Sequence, residues 1–530
     1  MNSNNGMQKR MLIMTLVVFV FFVAYEFLVL KPQQEAKVKE QAAKQEQTVS
    51  NNHELVAQTQ AQTPEMGLTI QAPSVNTIAP KNLVSVIKTN KSIYEIDTLG
   101  RIAQVTLQEN KYIDEDANQI KLFEANQLRP LEVRFSDANL NDEAFKVQVV
   151  ANEAQLDATQ SKQVLILTQE LSGTTLTKTI SFYPDGHYDV TVNTSTPQAF
   201  FMTTGFRPNV LVDMYADHGA ILKLNDGSLK TILDGDADKT VSLTGVKFAS
   251  AFDRYYTSIL YNFETSMAVS VMKDSNSDPQ MFVHGNTNLT LSGYAGPKEH
   301  VLLKSLHVEL VDAIEYGFFT FIAKPMFTFL AFLQSYIGNW GWTIVALTVI
   351  IKLILFPLSY KGMVSMQKLK ELAPKIKELQ AKHKDDKQKQ SAAMMELYKK
   401  HGANPMGGCL PLVLQIPVFF AIYRVLLNSI ELKGAEWILW IHDLALMDPY
   451  FVLPILMGAS MFLQQKLTPN TLQDEMQKKI FQFLPVVFTF FFLWFPAGLT
   501  LYWFINNVFT IGQQFYINRL FEKQKATKKE

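Results

Sequence analysis

Four apolar runs crowd the last third of the chain: Trp340 to Leu358, Cys409 to Ile430, Phe451 to Leu467, and Ile480 to Tyr516. A bilayer's hydrocarbon core is about 30 Å thick and takes about 20 apolar residues of helix, so runs of this kind point to a membrane bundle before any other fold. The last run is too long for one crossing, and Trp494-Phe495-Pro496-Ala497-Gly498 interrupts it with turn-favouring residues, which predicts two helices joined tightly. A further run from Met11 to Leu30 follows Lys9 and Arg10. A cleaved signal peptide competes for that segment, but the run is long for an h-region and no A-x-A-like site follows, so an uncleaved anchor over 1–30 is expected. The expected total is six crossings, five of them forming the C-terminal core.

Charge sets the direction. The chain carries 49 basic and 49 acidic side chains, a balance that gives no argument for a nucleic-acid partner. Their distribution is uneven, with eleven lysines between Lys361 and Lys400. Short loops rich in Lys and Arg stay in the cytoplasm, which places that loop inside, together with Lys466, Lys478 and Lys479 and the basic tail over 519–530. The Glu431–Tyr450 loop has Lys433 against Glu431, Glu436, Asp443 and Asp448 and belongs outside. Both termini are then cytoplasmic. Tyr316 to Ile337 is also apolar, but counting it as a crossing would place the lysine-rich loop outside, and Lys324-Pro325 stands at its middle. An amphipathic helix in the outer interface over 313–337 is expected, with a buried helix of the soluble domain as the competing reading.

Residues 31–80 are dominated by Gln, Ala, Lys, Glu, Asn and Thr and read as a flexible linker. Over 81–312 the period changes to two, as in Leu176-Thr-Lys-Thr-Ile-Ser-Phe182, and Tyr183-Pro184-Asp185-Gly186-His187-Tyr188 carries a hairpin turn. This predicts a large β-sandwich outside the membrane. No H-E-x-x-H, P-loop or G-x-S-x-G is present, and His187 and His218 beside aspartates read as solvated loop residues. No catalytic residue, cofactor or metal site is expected, so the chain reads as something other than an enzyme. A peptide or sugar groove on the sandwich stays open. The lone Cys409 forms no intramolecular disulfide and reads as a packing residue.

The residue that asks for an explanation is Lys352, deep inside the Trp340–Leu358 run, the second span. An ammonium at that depth costs roughly 2.5 to 3.5 kcal/mol unless water or a partner meets it, and the other C-terminal spans offer no strong acid. A water-filled cavity inside the bundle answers this, and snorkelling of the long stem toward Tyr360 is the alternative. Thr348 one turn earlier, Gln415 in the third span, and Asn506 and Asn507 in the sixth add polarity to such a cavity. Prolines 411, 417, 454 and 485 remove backbone donors and loosen the packing. Between the spans, Met366, Leu369, Ala373, Ile376 and Leu379, then Met394, Leu397 and Tyr398, predict a cytoplasmic helical hairpin over 360–403 whose basic side suits anionic lipid or ribosomal RNA.

Gly338-Asn-Trp-Gly341, Lys352 with Phe356-Pro357-Leu358, Asn404-Pro-Met-Gly-Gly-Cys-Leu-Pro411, Gln415-Ile-Pro417, Leu439-Trp-Ile-His-Asp-Leu444, Asp448-Pro449 and Phe492-Leu-Trp-Phe-Pro-Ala-Gly498 closely resemble the YidC/Oxa/Alb family of membrane insertases in its Gram-negative form. The resemblance runs the length of the chain. It implies a periplasmic β-supersandwich, a five-helix core over 338–518 enclosing a hydrophilic groove open to cytoplasm and lipid, and residence in the bacterial inner membrane. Lys352 stands where the family commonly has Arg, keeping the charge without the fork of donors. By the same resemblance Thr348, Gln415, Trp494, Tyr502, Trp503 and Asn506 line the groove or the substrate's exit path. The implied partners are nascent inner-membrane proteins, the Sec translocon, the ribosome and the lipid bilayer, with no small-molecule substrate. A secondary transporter, which inverted repeats would mark and the sequence does not display, and an assembly chaperone without insertase activity are the rival readings.

Overall fold

The computed structural model describes residues 82–527 apart from 115, 125, 211–216, 384–385, 402–409 and 468–474. The expected anchor over 1–30, the linker over 31–80, Cys409 and the last three residues lie outside the described residues. The chain divides into two compact units, Ser365–Met406 belonging to one, and Leu68–Val364 with Gly407–Glu530 making the other.

The soluble part is a β-sandwich. Its smaller sheet has β1 (Leu83–Lys88) between β2 (Ser92–Asp97) and a short parallel partner at Gln155–Asp157, with β3 (Ile102–Leu107) on the far side of β2. The larger sheet has thirteen strands and is antiparallel throughout its central run. The predicted hairpin is present: Thr174–Phe182 pairs with His187–Thr194 across Tyr183–Gly186, whose Gly186 takes φ 88°. Residues 174 to 182 alternate buried and half-buried along the strand, so Leu176, Lys178, Ile180 and Phe182 all face inward. The sheets meet on aromatic rings. Tyr94 from the small sheet lies 5.1 Å from Phe182 and 6.1 Å from Tyr188, all three fully buried, and the Tyr94 hydroxyl donates to Gly186 O at 2.6 Å. Such ring pairs add about 0.5–1.5 kcal/mol each beyond area burial.

The same interior holds charge. Arg101 donates from Nε to Asp97 Oδ2 at 2.8 Å and from Nη1 to Glu132 Oε2 at 2.8 Å, while Glu132 Oε1 accepts twice from Arg134. Lys178 donates to the carbonyls of Gly100 and Leu131, each at 2.9 Å. Full burial pulls its ammonium down to a pKa of about 8, against the opposing pull of Asp97 and Glu132.

The sandwich joins the bundle through α2 (His300–Leu306), which follows α1 (Ala138–Ala144) among the described residues. Arg254 Nε donates to Leu427 O at 2.8 Å, Arg424 Nη1 to Asp217 Oδ2 at 2.6 Å, His300 N to Glu431 Oε1 at 2.8 Å, and Asn428 Nδ2 to Glu315 O. Next comes α3 (Thr320–Ile337), whose Lys324 pairs with Asp312. Gly338 ends it in the left-handed conformation at φ 74°. Asn339 then caps α4 (Trp340–Ile354), its side chain accepting from Trp342 N at 3.0 Å. Gly341 has no room for a side chain, since a Cβ there would stand 2.2 Å from the Trp437 ring.

Helices α5 (Phe356–Lys382), α6 (Lys387–Lys400), α7 (Leu410–Asn428), α8 (Val452–Leu467), α9 (Glu475–Phe492) and α10 (Ala497–Thr527) complete the chain. Among the described residues, Gly317–Ile337 is long and apolar enough by itself to cross a bilayer. This is the segment expected to lie in the interface. Trp340–Ile354 and Phe356–Ile376 meet the same test as a pair bent by 63°, and shorter apolar helices run over Gln415–Asn428 and Phe481–Phe492. The bend falls at Leu355, where Pro357 gives no N–H to the preceding turn and its ring crowds it. The break predicted at Trp494–Gly498 is a turn bound to the 431–450 loop: Ala497 N donates to Leu446 O at 2.7 Å and Gly498 N to Leu444 O at 2.9 Å.

In the other unit, Leu369, Leu372 and Ile376 form a buried cluster with Met366, Met394, Leu397 and Tyr398 packed on it, which makes the predicted helical hairpin. Leu372, not Ala373, takes the inward position beside Leu369 and Ile376, and Ala373 is exposed.

Candidate functional site

The site grows from α4. Lys352 is 8% exposed, in the last turn before the bend, and its Nζ donates to Thr510 Oγ1 of α10 at 2.9 Å. Among the described residues no carboxylate pairs with it. Thr510 is itself fixed, since its hydroxyl donates to Asn506 O at 2.7 Å. One turn earlier along α10, Asn506 Oδ1 accepts from Gln415 Nε2 of α7 at 2.9 Å. A chain of hydrogen bonds thus ties three helices around the ammonium.

Beside it lies a pocket with about 370 Å³ of space free of atoms, part of it open to the outside. Its polar lining is Lys352, Ser359, Gln415, Tyr502 and Asn506, and Ile351, Leu355, Leu358 and Val418 supply the apolar wall. Lys, Ser, Gln, Tyr and Asn together offer donors and acceptors in a concave space, the arrangement that hydrates a polar segment or binds it directly. None of these groups is a paired nucleophile and base, so the pocket is suited to binding and solvation.

Four of the seven expected residues, Lys352, Gln415, Tyr502 and Asn506, therefore meet at this pocket. The other three lie apart from its lining. Thr348 is 1% exposed and its hydroxyl donates to Ile344 O at 2.7 Å, within its own helix. Trp503 packs edge-on against Phe419 at 4.5 Å and Phe492 at 5.2 Å, and tilted against Phe488 at 5.7 Å. Trp494 is 52% exposed, with Phe490 edge-on at 4.9 Å. Asn507 turns away: its Nδ2 donates to Ser460 Oγ of α8 at 3.1 Å, as a step of about 100° from Asn506 around the helix requires.

Thr510 and Ser359 are the polar residues that sequence reasoning missed. The signal for Thr510 was present, since 502, 506 and 510 recur every four residues and share one helix face. Ser359 had none, because the bend at Leu355 decides which way the start of α5 points.

Comparison with known proteins follows the same division. A family model described as 60Kd inner membrane protein matches residues 332–525, and one described as YidC periplasmic domain matches residues 237–329. The membrane protein insertase YidC of Campylobacter jejuni is 49% identical over 528 residues, covering 99% of this chain and 98% of the relative. That of Wolinella succinogenes is 49% identical with 98% and 96% covered, and that of Helicobacter pylori strain 26695 is 44% identical with 99% and 98% covered.

Proposed function

This chain belongs to the YidC family of membrane protein insertases and is an inner-membrane protein with a periplasmic domain, and from that premise we propose that the pocket beside Lys352 is the intramembrane groove through which it inserts its clients. The observation that carries the reading is a buried ammonium beside a polar pocket, held by a hydroxyl. A short polar tail of the client enters the groove from the cytoplasm. There the ammonium and the dipoles of Gln415, Tyr502 and Asn506 replace part of the water the tail gives up. The client's apolar helix then partitions into lipid, gaining roughly 0.3–0.6 kcal/mol per Leu, Ile, Phe or Val, and the membrane potential adds about 2.3 kcal/mol per charge per 100 mV on an acidic tail. No covalent step and no nucleotide are needed.

The same reading assigns the topology. Six crossings place both termini in the cytoplasm, with the anchor over 1–30 and five core spans. The apolar helix over 313–337 lies in the outer interface: Lys324 reaches back to Asp312 of the sandwich, and exposed Phe318 and Phe321 enter lipid. Thr348, Trp494 and Trp503 act along the client's exit path rather than in the pocket. The lysine-rich hairpin receives the nascent chain, and ribosome and Sec translocon are its expected partners.

The test is insertion into proteoliposomes carrying the purified protein. Lys352→Ala is expected to reduce insertion of a client with an acidic tail at least about tenfold, and Lys352→Arg to retain it. Equal insertion by Lys352→Ala for every dependent client would refute the role given to the charge.

A further inference from the structure

The geometry points to Thr510 as a positioning residue that holds the Lys352 ammonium in the pocket, a role that rests on the groove reading above. A lysine stem is long and flexible, and at this depth it has two outlets: into the bundle, or along the helix to the inner interface. The hydrogen bond at 2.9 Å selects the first. Thr510 can serve as the acceptor because its own proton is committed to Asn506 O at 2.7 Å, which leaves its lone pairs for the ammonium. Asn506 is in turn held by Gln415 at 2.9 Å, so the acceptor's place is fixed by α7 as well as α10.

The chemistry of the acceptor matters as much as its position. A carboxylate at 510 would hold the ammonium more strongly and would also neutralise it, ending its use to an entering tail. A hydroxyl orients the cation and leaves its charge intact, and it takes one of three N–H donors. The other two remain for water or client in the pocket that Lys352 lines.

Valine matches threonine in shape and lacks the acceptor, whereas serine keeps the acceptor and loses a methyl group. In the proteoliposome assay with an acidic-tailed client, Thr510→Val is expected to lower the initial insertion rate about tenfold, in line with a hydrogen bond to a charged group, and Thr510→Ser to stay within about threefold of the parent. The combination Lys352→Ala with Thr510→Val is expected to insert no worse than Lys352→Ala alone, since a residue acting through the ammonium has nothing left to act on. Equal losses from valine and serine would mean that the side chain serves packing, and would overturn the inference. So would an unaffected valine variant, or multiplicative losses in the double variant. Failure of the groove reading is read separately: there Lys352→Ala itself inserts like the parent, whatever position 510 does.

Discussion

Glu132 offers the sharpest test of how the sandwich holds together. Its carboxylate is 3% exposed and accepts from two guanidiniums, Arg101 Nη1 at 2.8 Å and Arg134 Nε and Nη2 at 2.8 and 2.6 Å, while Asp97 is the other acid on Arg101. Lys178 stands near enough to feel both acids. Glu132→Gln removes one negative charge from a dry cluster that then keeps four cations, Arg101, Arg129, Arg134 and Lys178, against Asp97. Taking one partner from a buried ion pair costs about 3–5 kcal/mol, because the remaining charge stays desolvated. In a domain of this size each kcal/mol moves the thermal midpoint by about 2–4 °C, so the unfolding step of the sandwich is expected to fall by at least about 6 °C. The measurement is hydrogen exchange of the Thr174–Thr194 strand amides in the detergent-solubilised chain at stepped temperatures, which reads the sandwich apart from the helical part where all six tryptophans lie. A shift below about 2 °C would show that water reaches the cluster and that the network contributes little.

Two further outcomes can be checked in the same preparation. Burial raises the Glu431 carboxyl from 4.5 to about 7, so between those pH values the folded chain retains a proton that the unfolded chain releases, and stability from this group declines as pH rises through the window. Glu431→Gln keeps the acceptor for His300 N and is expected to gain on the parent from pH 4.5 to 7, by at most about 3 kcal/mol, then hold that gain; parallel midpoint–pH curves for the two proteins would contradict it. At the α8–α9 crossing a Cβ on Gly458 would stand 1.8 Å from Thr489 Oγ1, so Gly458→Ala is expected to cost about 1–3 kcal/mol, with much of it recovered by adding Thr489→Ala. A midpoint for Gly458→Ala equal to the parent's would show that the crossing has slack.

How much of this was legible in the sequence depends on the distance over which each feature is written. The hairpin turn at Tyr183–Gly186 and the helical break before Ala497 are local, and proline and glycine declare them. Lys352 was legible because a cation among Ile, Leu and Val has few explanations. Its acceptor was legible only in part: the four-residue spacing puts Thr510 on the face of Tyr502 and Asn506, but that this face meets a lysine 158 residues away is not written locally. Alternation did place Lys178 on the inward face with Leu176 and Ile180. Period alone cannot say which carbonyls will receive a buried ammonium, and Gly100 and Leu131 come from other parts of the chain. Likewise Asn506 and Asn507 look equivalent in sequence, and only the helix phase separates one toward the pocket from one toward α8.

The seam between sandwich and bundle has an unusual division of labour. At three of its bonds a side chain on one side meets the main chain on the other: Arg254 on Leu427 O, Asn428 on Glu315 O, and Glu431 on His300 N. A peptide group is present whatever residue occupies the position. Positions 427, 315 and 300 are therefore free to drift as far as these bonds are concerned, while 254, 428 and 431 are tied to donor or acceptor type. A seam built this way lets a soluble domain and a membrane bundle diverge at different rates without losing their fit, because each needs from the other little more than a backbone in the right place.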